Sequence, residues 1–196
     1  MLQQELTALG FEKCKAGIFV IPVNDDVLGT IGLNTASDRS SGVLEINPVI
    51  GVRNNRVERL VAELCGDFFD ELLPPTIAGN IGYVSPENRY RSYLFTEGME
   101  IENAITDMGH ELRTHGLSFI RRNADLKALV ETMQTARFGI PSVTEYRIPA
   151  GLLLLGDHSR AAAYLNAKLD EIGARKDPAA IRYKNFAIEL STRLNS

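Results

Sequence analysis

Apolar positions follow two different periods along this chain. Up to about residue 95 they come in short β-rich runs, and from Glu100 onward they recur every three to four residues. A short helix is expected over residues 2–9, closed by Gly10. Residues 17–23 read as a strand, Asn24-Asp25-Asp26 as a turn, 27–36 as a second strand, 37–42 as a polar loop and 43–52 as a third strand. Pro48 lacks an N–H, which points to a sheet edge or a bulge. Connections this short favour an antiparallel meander. Val57, Leu60, Val61 and Leu64 form one apolar stripe of a helix, capped by Asn54 or Asn55 and stopped at Gly66. Pro74-Pro75 interrupts regular structure, and residues 76–84 and 89–95 read as two further strands.

The second half reads as helix throughout. Ile101, Ile105, Met108 and Leu112 make one stripe, ended by Gly116, and Asn123 can cap a helix carrying Leu126, Leu129, Val130 and Met133. Ser142-Val143-Thr144-Glu145 has the spacing of a capping box. The helix after it runs towards Leu155 and is apolar on all sides, so it is expected to be central. Gly156-Asp157 turns the chain, Ala161, Leu165, Leu169 and Ile172 continue the period, and Asp177-Pro178 opens a last helix. Strands first and helices second predict an α+β fold: an N-terminal antiparallel sheet of about five strands with packed helices, then an all-helical C-terminal part. With no long linker near Thr96-Glu97-Gly98, the expectation is one compact unit, sheet-rich over 1–96 and helical over 97–196.

Composition changes this picture little, and charge changes it more. The chain has 196 residues, ordinary proportions of apolar and charged residues, and no Trp. Its two cysteines, Cys14 and Cys65, lie far apart; this argues against a disulfide framework and fits a reducing cytosol. Cys65 lies in a periodic apolar run and reads as a small buried hydrophobe. The N-terminus lacks a signal-peptide pattern and the longest apolar run is Leu152-Leu153-Leu154-Leu155, so a cytoplasmic protein with no membrane partner is expected. Between Leu60 and Leu112 ten carboxylates face two basic residues, Arg89 and Arg91. Such a stretch attracts cationic partners and makes nucleic acid an unsuitable direct ligand. At 100° per residue Glu100, Asp107 and Glu111 share one helix face, opposite in role to the apolar stripe. With Glu97, and with Asp67, Asp70 and Glu71 if the fold gathers them, they form the candidate partner-binding surface. A plain solvated helix face is the competing explanation.

Other chemistry is sparse. His110-Glu111-Leu112-Arg113-Thr114-His115 has histidines five apart, which an α-helix spreads by about 140°, whereas a zinc protease needs them four apart. There is no nucleophile elbow, and Gly29-Thr30-Ile31-Gly32 and Gly79-Asn80-Ile81-Gly82 lack the rest of any phosphate or dinucleotide motif. No catalytic, cofactor-binding or metal-ligating residue is therefore assigned. The turn at Gly156-Asp157 with Ala161, Tyr164 and Leu169 matches under one tetratricopeptide repeat, and no copy recurs.

Residues 33–37 leading through 44–53, residues 116–119, and Arg137-Phe138-Gly139-Ile140-Pro141 leading into Leu153-Leu154-Leu155-Gly156 together resemble immunity proteins of bacterial polymorphic toxins. These include the immunity proteins of contact-dependent growth inhibition systems. The resemblance implies a non-catalytic protein that neutralises a cognate toxin domain, and it transfers no binding residue to a numbered position. An acidic surface suits a toxin that is itself basic, such as a nuclease. Two other classes remain open. A regulatory scaffold would use residues 113–196, where 13 basic side chains outnumber 8 acidic ones. An enzyme would assemble its site from distant residues, gathering His110, His115 or His158 with a carboxylate.

Overall fold

The computed structural model describes residues 1–38, 42–71, 74–96 and 101–195. In chain order the elements are α1 (Leu2–Ala8), β1 (Glu12–Lys15), β2 (Ile18–Asn24), β3 (Val27–Asp38), β4 (Val43–Asn54) and α2 (Asn55–Cys65). They continue with β5 (Ile77–Asn80), α3 (Ile81–Val84), β6 (Tyr93–Phe95), α4 (Ile101–Glu111), a π-helical segment (Leu112–Gly116) and α5 (Leu117–Asn123). The chain ends with α6 (Leu126–Gln134), α7 (Pro141–Leu154), α8 (His158–Ile172) and α9 (Pro178–Leu194). The fold is α+β, an antiparallel N-terminal sheet followed by helices.

Contacts gather these elements into two units, and each takes two separate stretches of chain. One comprises Met1–Arg53 and Ile77–Ala124, the other Asn54–Thr76 and Asp125–Ser196. The cuts fall at 53/54, 76/77 and 124/125 rather than near residue 96. Chain order and packing part company because a helix goes where its apolar stripe is buried. Leu60 and Leu64 of α2 bury among side chains of α7, α8 and α9.

In the first unit the sheet runs β1-β2-β3-β4-β5. β6 also pairs with β4. Leu44 to Ile46 of β4 pair with Phe95 to Tyr93, and Val49 to Val52 pair with Asn80 to Ile77. Pro48 lies in the step between these two pairings, in an internal strand, and not at the sheet edge. β5 stops at Asn80, short of the strand expected over 76–84. The Asn80 amide oxygen accepts from the Gly82 and Arg91 N–H groups, which caps α3 and breaks the strand. The same amide donates to Asn47 Oδ1 and to the Arg91 carbonyl. One side chain thus ties the end of β5 to β4 and to the backbone ahead of β6. Of the stretch expected as strand over 89–95, only Tyr93–Phe95 pairs. β1 is a strand that the hydrophobic pattern did not announce, because its sequence Glu-Lys-Cys-Lys carries no apolar period.

α4, the π segment and α5 follow without a break, so Gly116 is not a stop. It lies against Ile50 and Ile81 inside the helical run. Met108 and Leu112 are buried as the stripe requires.

The second unit is all helix. Asn54 caps α2 by accepting from the Arg56 and Val57 N–H groups, and Gly66 closes it in the left-handed conformation. α7 is the central helix, buried at every position from Tyr146 to Leu152. Tyr146 meets Tyr183 and Phe186 of α9 edge-on, at centroid distances of 5.1 and 4.9 Å. Two expected caps are replaced. α7 starts one residue before Ser142, with Pro141 at its first position and no capping side chain, so the Ser142–Glu145 capping box does not form. A proline sets the helical φ angle in advance and has no N–H to satisfy there. Asp125 rather than Asn123 caps α6, and Asn123 is buried, donating to the Phe119 carbonyl. Asp157 caps α8 and Asp177 caps α9.

Candidate functional site

The acidic stretch divides between the two units. Glu97 and Glu100 lie outside the described residues. Asp107 and Glu111, one turn apart on α4, converge on a single guanidinium in the first unit. Arg91 Nη2 is 2.9 Å from Asp107 Oδ2, and Nη1 is 3.1 Å from Glu111 Oε2. The arginine is held from behind: Asn80 bonds both its N–H and its carbonyl, and its guanidinium lies 5.6 Å from the Tyr93 ring centre. Asp107 stays half exposed, whereas Glu111 is largely covered. Burial, and then Asp107, Glu111 and Glu87, push the Tyr93 phenol well above its ordinary range against the pull of Arg91. The phenol is therefore neutral, and the cluster of two carboxylates and one arginine keeps an excess negative charge.

The other predicted residues belong to the second unit. Asp67 pairs with Arg182 of α9, and Glu71 Oε1 lies 3.9 Å from Arg59 Nη2. Asp70 is exposed. Glu63 pairs with Arg193, so α2 and the turn after it run antiparallel to α9 along two ion pairs. Glu87, back in the first unit, pairs with Arg89 at 3.2 Å. Among the described residues, Glu63, Asp67, Glu71, Glu87, Asp107 and Glu111 thus each have an arginine within the same unit. Glu102 is exposed on α4.

One polar centre was not foreseen from sequence. Arg147 on α7 grips Glu58 of α2: Nη2 donates to Oε2 at 2.9 Å and Nε stands 2.8 Å from Oε1. Its Nη1 donates to the Thr76 carbonyl at 2.9 Å. The Thr76 hydroxyl donates to Glu58 Oε1 at 2.7 Å and accepts from the Asn54 N–H at 2.9 Å. Arg147 is buried and Glu58 nearly so. Hydrogen bonds from Arg147 Nη2 and the Thr76 hydroxyl to the two carboxylate oxygens offset part of the lost hydration, while Nε, close to Oε1, makes no hydrogen bond among the described residues. The available signal was a cation in an otherwise apolar helix, since such a charge survives only with a partner.

The histidines do not assemble into a site. His110 and His158 are exposed and His115 is half-buried. The α-helical angle between His110 and His115 does not apply, because the intervening π segment bonds residue i to i+5 and brings such positions closer round the axis. Among the described residues no group of three or more His, Cys, Asp or Glu is placed to hold a metal. Burial pushes the Cys65 thiol up from its ordinary value, the opposite of what a nucleophile needs. No helix among the described residues is long and apolar enough to cross a membrane. No protein-family model, curated protein or solved structure matches the chain.

Proposed function

We propose that the protein is a non-catalytic, cytoplasmic immunity protein that neutralises a cognate toxin domain by covering a basic surface on it. The observation that carries this reading is the sharing of one arginine by two carboxylates on α4. Paired one to one, charges largely cancel at a distance; shared two to one, they leave a negative centre that steers a cationic partner. Asp107 is half exposed and Glu102 exposed, so a partner can reach the helix. Glu97 and Glu100 precede α4 in sequence and add to the same acidic segment. Asp67 and Glu71 contribute less in this reading, because Arg182 and Arg59 already face them. The resemblance to immunity proteins supports the choice of a toxin as partner, and a basic nuclease domain suits the charge.

The test is binding of the full chain to the product of the reading frame adjacent to its own, with protection of a nucleic-acid substrate from that product as the second readout. Asp107→Lys is expected to weaken the complex tenfold or more and to flatten its salt dependence. Asp67→Lys is expected to do much less. Unchanged affinity and salt dependence in Asp107→Lys, with the fold intact by circular dichroism, sinks the proposal.

A further inference from the structure

The second unit also contains a cavity of about 370 Å³, bounded by α7, α8, the end of α6 and the loop between α6 and α7. That volume lies within the range of small-molecule sites. Met133, Phe138, Ile148 and Tyr164 supply its apolar wall. Its charged side is Lys168 with Glu145 and Glu171: Nζ is 3.0 Å from Glu145 Oε2 and 2.9 Å from Glu171 Oε1. Lys168 and Glu145 are only 22% and 21% exposed, so water screens them poorly. Burial, and then Glu145, raise the Tyr164 phenol above its ordinary value, so it adds no charge. Of the cations nearby, Arg160 is tied to Asp157 and to the Gln134 amide oxygen, and Arg137 stacks 5.4 Å from the Phe138 ring centre without lining the cavity.

The rim has a demanding shape. Gly139 sits at φ +115°, and a Cβ there would stand 2.9 Å from Thr144 Oγ1. Ala136 holds a left-handed φ of 54°, uncommon for a residue with a side chain.

We propose that this cavity is a binding site for a small organic cation, one ammonium group carried on a flat apolar body. The ammonium would sit at Glu145 and Glu171, and the body against Met133, Phe138 and Ile148. Two carboxylates sharing one lysine hold more acceptor capacity than that lysine uses. An anion would meet surplus negative charge, and a neutral apolar molecule would strip water from carboxylate oxygens without replacing it. A cation alone compensates both. The site is independent of the toxin-binding reading and lies on different residues.

The probes are phenethylammonium, its neutral counterpart 2-phenylethanol and the anion 3-phenylpropionate, titrated into the full chain and followed by backbone amide chemical shifts. Phenethylammonium is expected to bind at least tenfold more tightly than either analogue, with shifts centred on residues 133–171. Glu171→Gln, at an exposed carboxylate, is expected to weaken it severalfold. Lys168→Met is expected to tighten it, since both carboxylates then lose their competing ammonium; a purely structural lysine gives no such gain. Equal binding of the three probes, preference for the anion, no cation binding at about 10 mM, or unchanged affinity in Glu171→Gln overturns the proposal. Because Glu171 is two-thirds exposed, its variant serves even if Lys168→Met does not fold.

Discussion

The best-covered arginine–carboxylate contact of each unit is built in the opposite way. In the first, Arg91 takes two carboxylates that lie within 20 residues of it, at a partly exposed site, and negative charge is left over. In the second, beside local pairs such as Arg160 with Asp157, three arginines arrive from far along the chain and each matches one carboxylate. Arg147 is buried against a largely covered Glu58, while Arg182 with Asp67 and Arg193 with Glu63 lie at the surface. Charge counted along a sequence is therefore not charge presented by a surface. A field persists where pairing is uneven, and one-to-one pairing turns the same residues into packing and registry.

The comparison breaks most severely at Glu58. Glu58→Ala strands Arg147 and is expected to cost about 3–5 kcal/mol, seen as a lower urea midpoint. Hydrogen exchange should quicken in peptides from 54–76 and 125–196 and stay slow in those from 1–53. Replacing both partners, as Glu58→Met with Arg147→Leu, is expected to recover most of the loss.

In the first unit the matching test is Gly82→Ala. A Cβ at residue 82 would collide with the Arg89 carbonyl oxygen, so the strand entry bearing Arg91 has to move. The expected loss is about 1–3 kcal/mol, with faster exchange across 80–95 and none across the second unit.

High pH probes both units together. Burial raises the phenols of Tyr93 and Tyr183 above their ordinary value of 10. Among the described residues neither buried hydroxyl has a hydrogen-bond partner. A group whose folded-state pKa is raised leaves stability whole below its unfolded value and removes it as pH climbs beyond. Denaturation midpoints are thus expected to hold up to about pH 10 and to fall above it. Tyr183→Phe should flatten that fall in the second unit, and Tyr93→Phe in the first. The smallest effect is expected from Arg182→Ala, under about 1 kcal/mol, because both partners of that pair face water.

Much of the candidate site was visible in the chain before folding. The acidic stretch, the shared face of Asp107 and Glu111, and the shortage of lysine and arginine all follow from residue order. The identity of the counterions does not. Arg182 and Arg193 lie 115 and 130 residues from their partners, a separation that no local spacing rule reaches.

Local order did determine the elements. Periods of two and of three to four residues set strands and helices, and Asn54, Gly66, Gly156, Asp157 and Asp177 marked the ends that the structure uses. Where local signals competed, packing chose. Asn80 ended a strand by bonding four groups from three segments, and Pro141 started a helix ahead of a capping box of correct spacing. Tertiary structure alone decided that α2 joins the last four helices, that α4 and α5 stay with the sheet, and which carboxylates remain unbalanced. The reason is range. Backbone preference acts over a turn or a strand pair, whereas burial of an apolar face and compensation of a charge are satisfied by whatever side chain folding brings within a few ångströms.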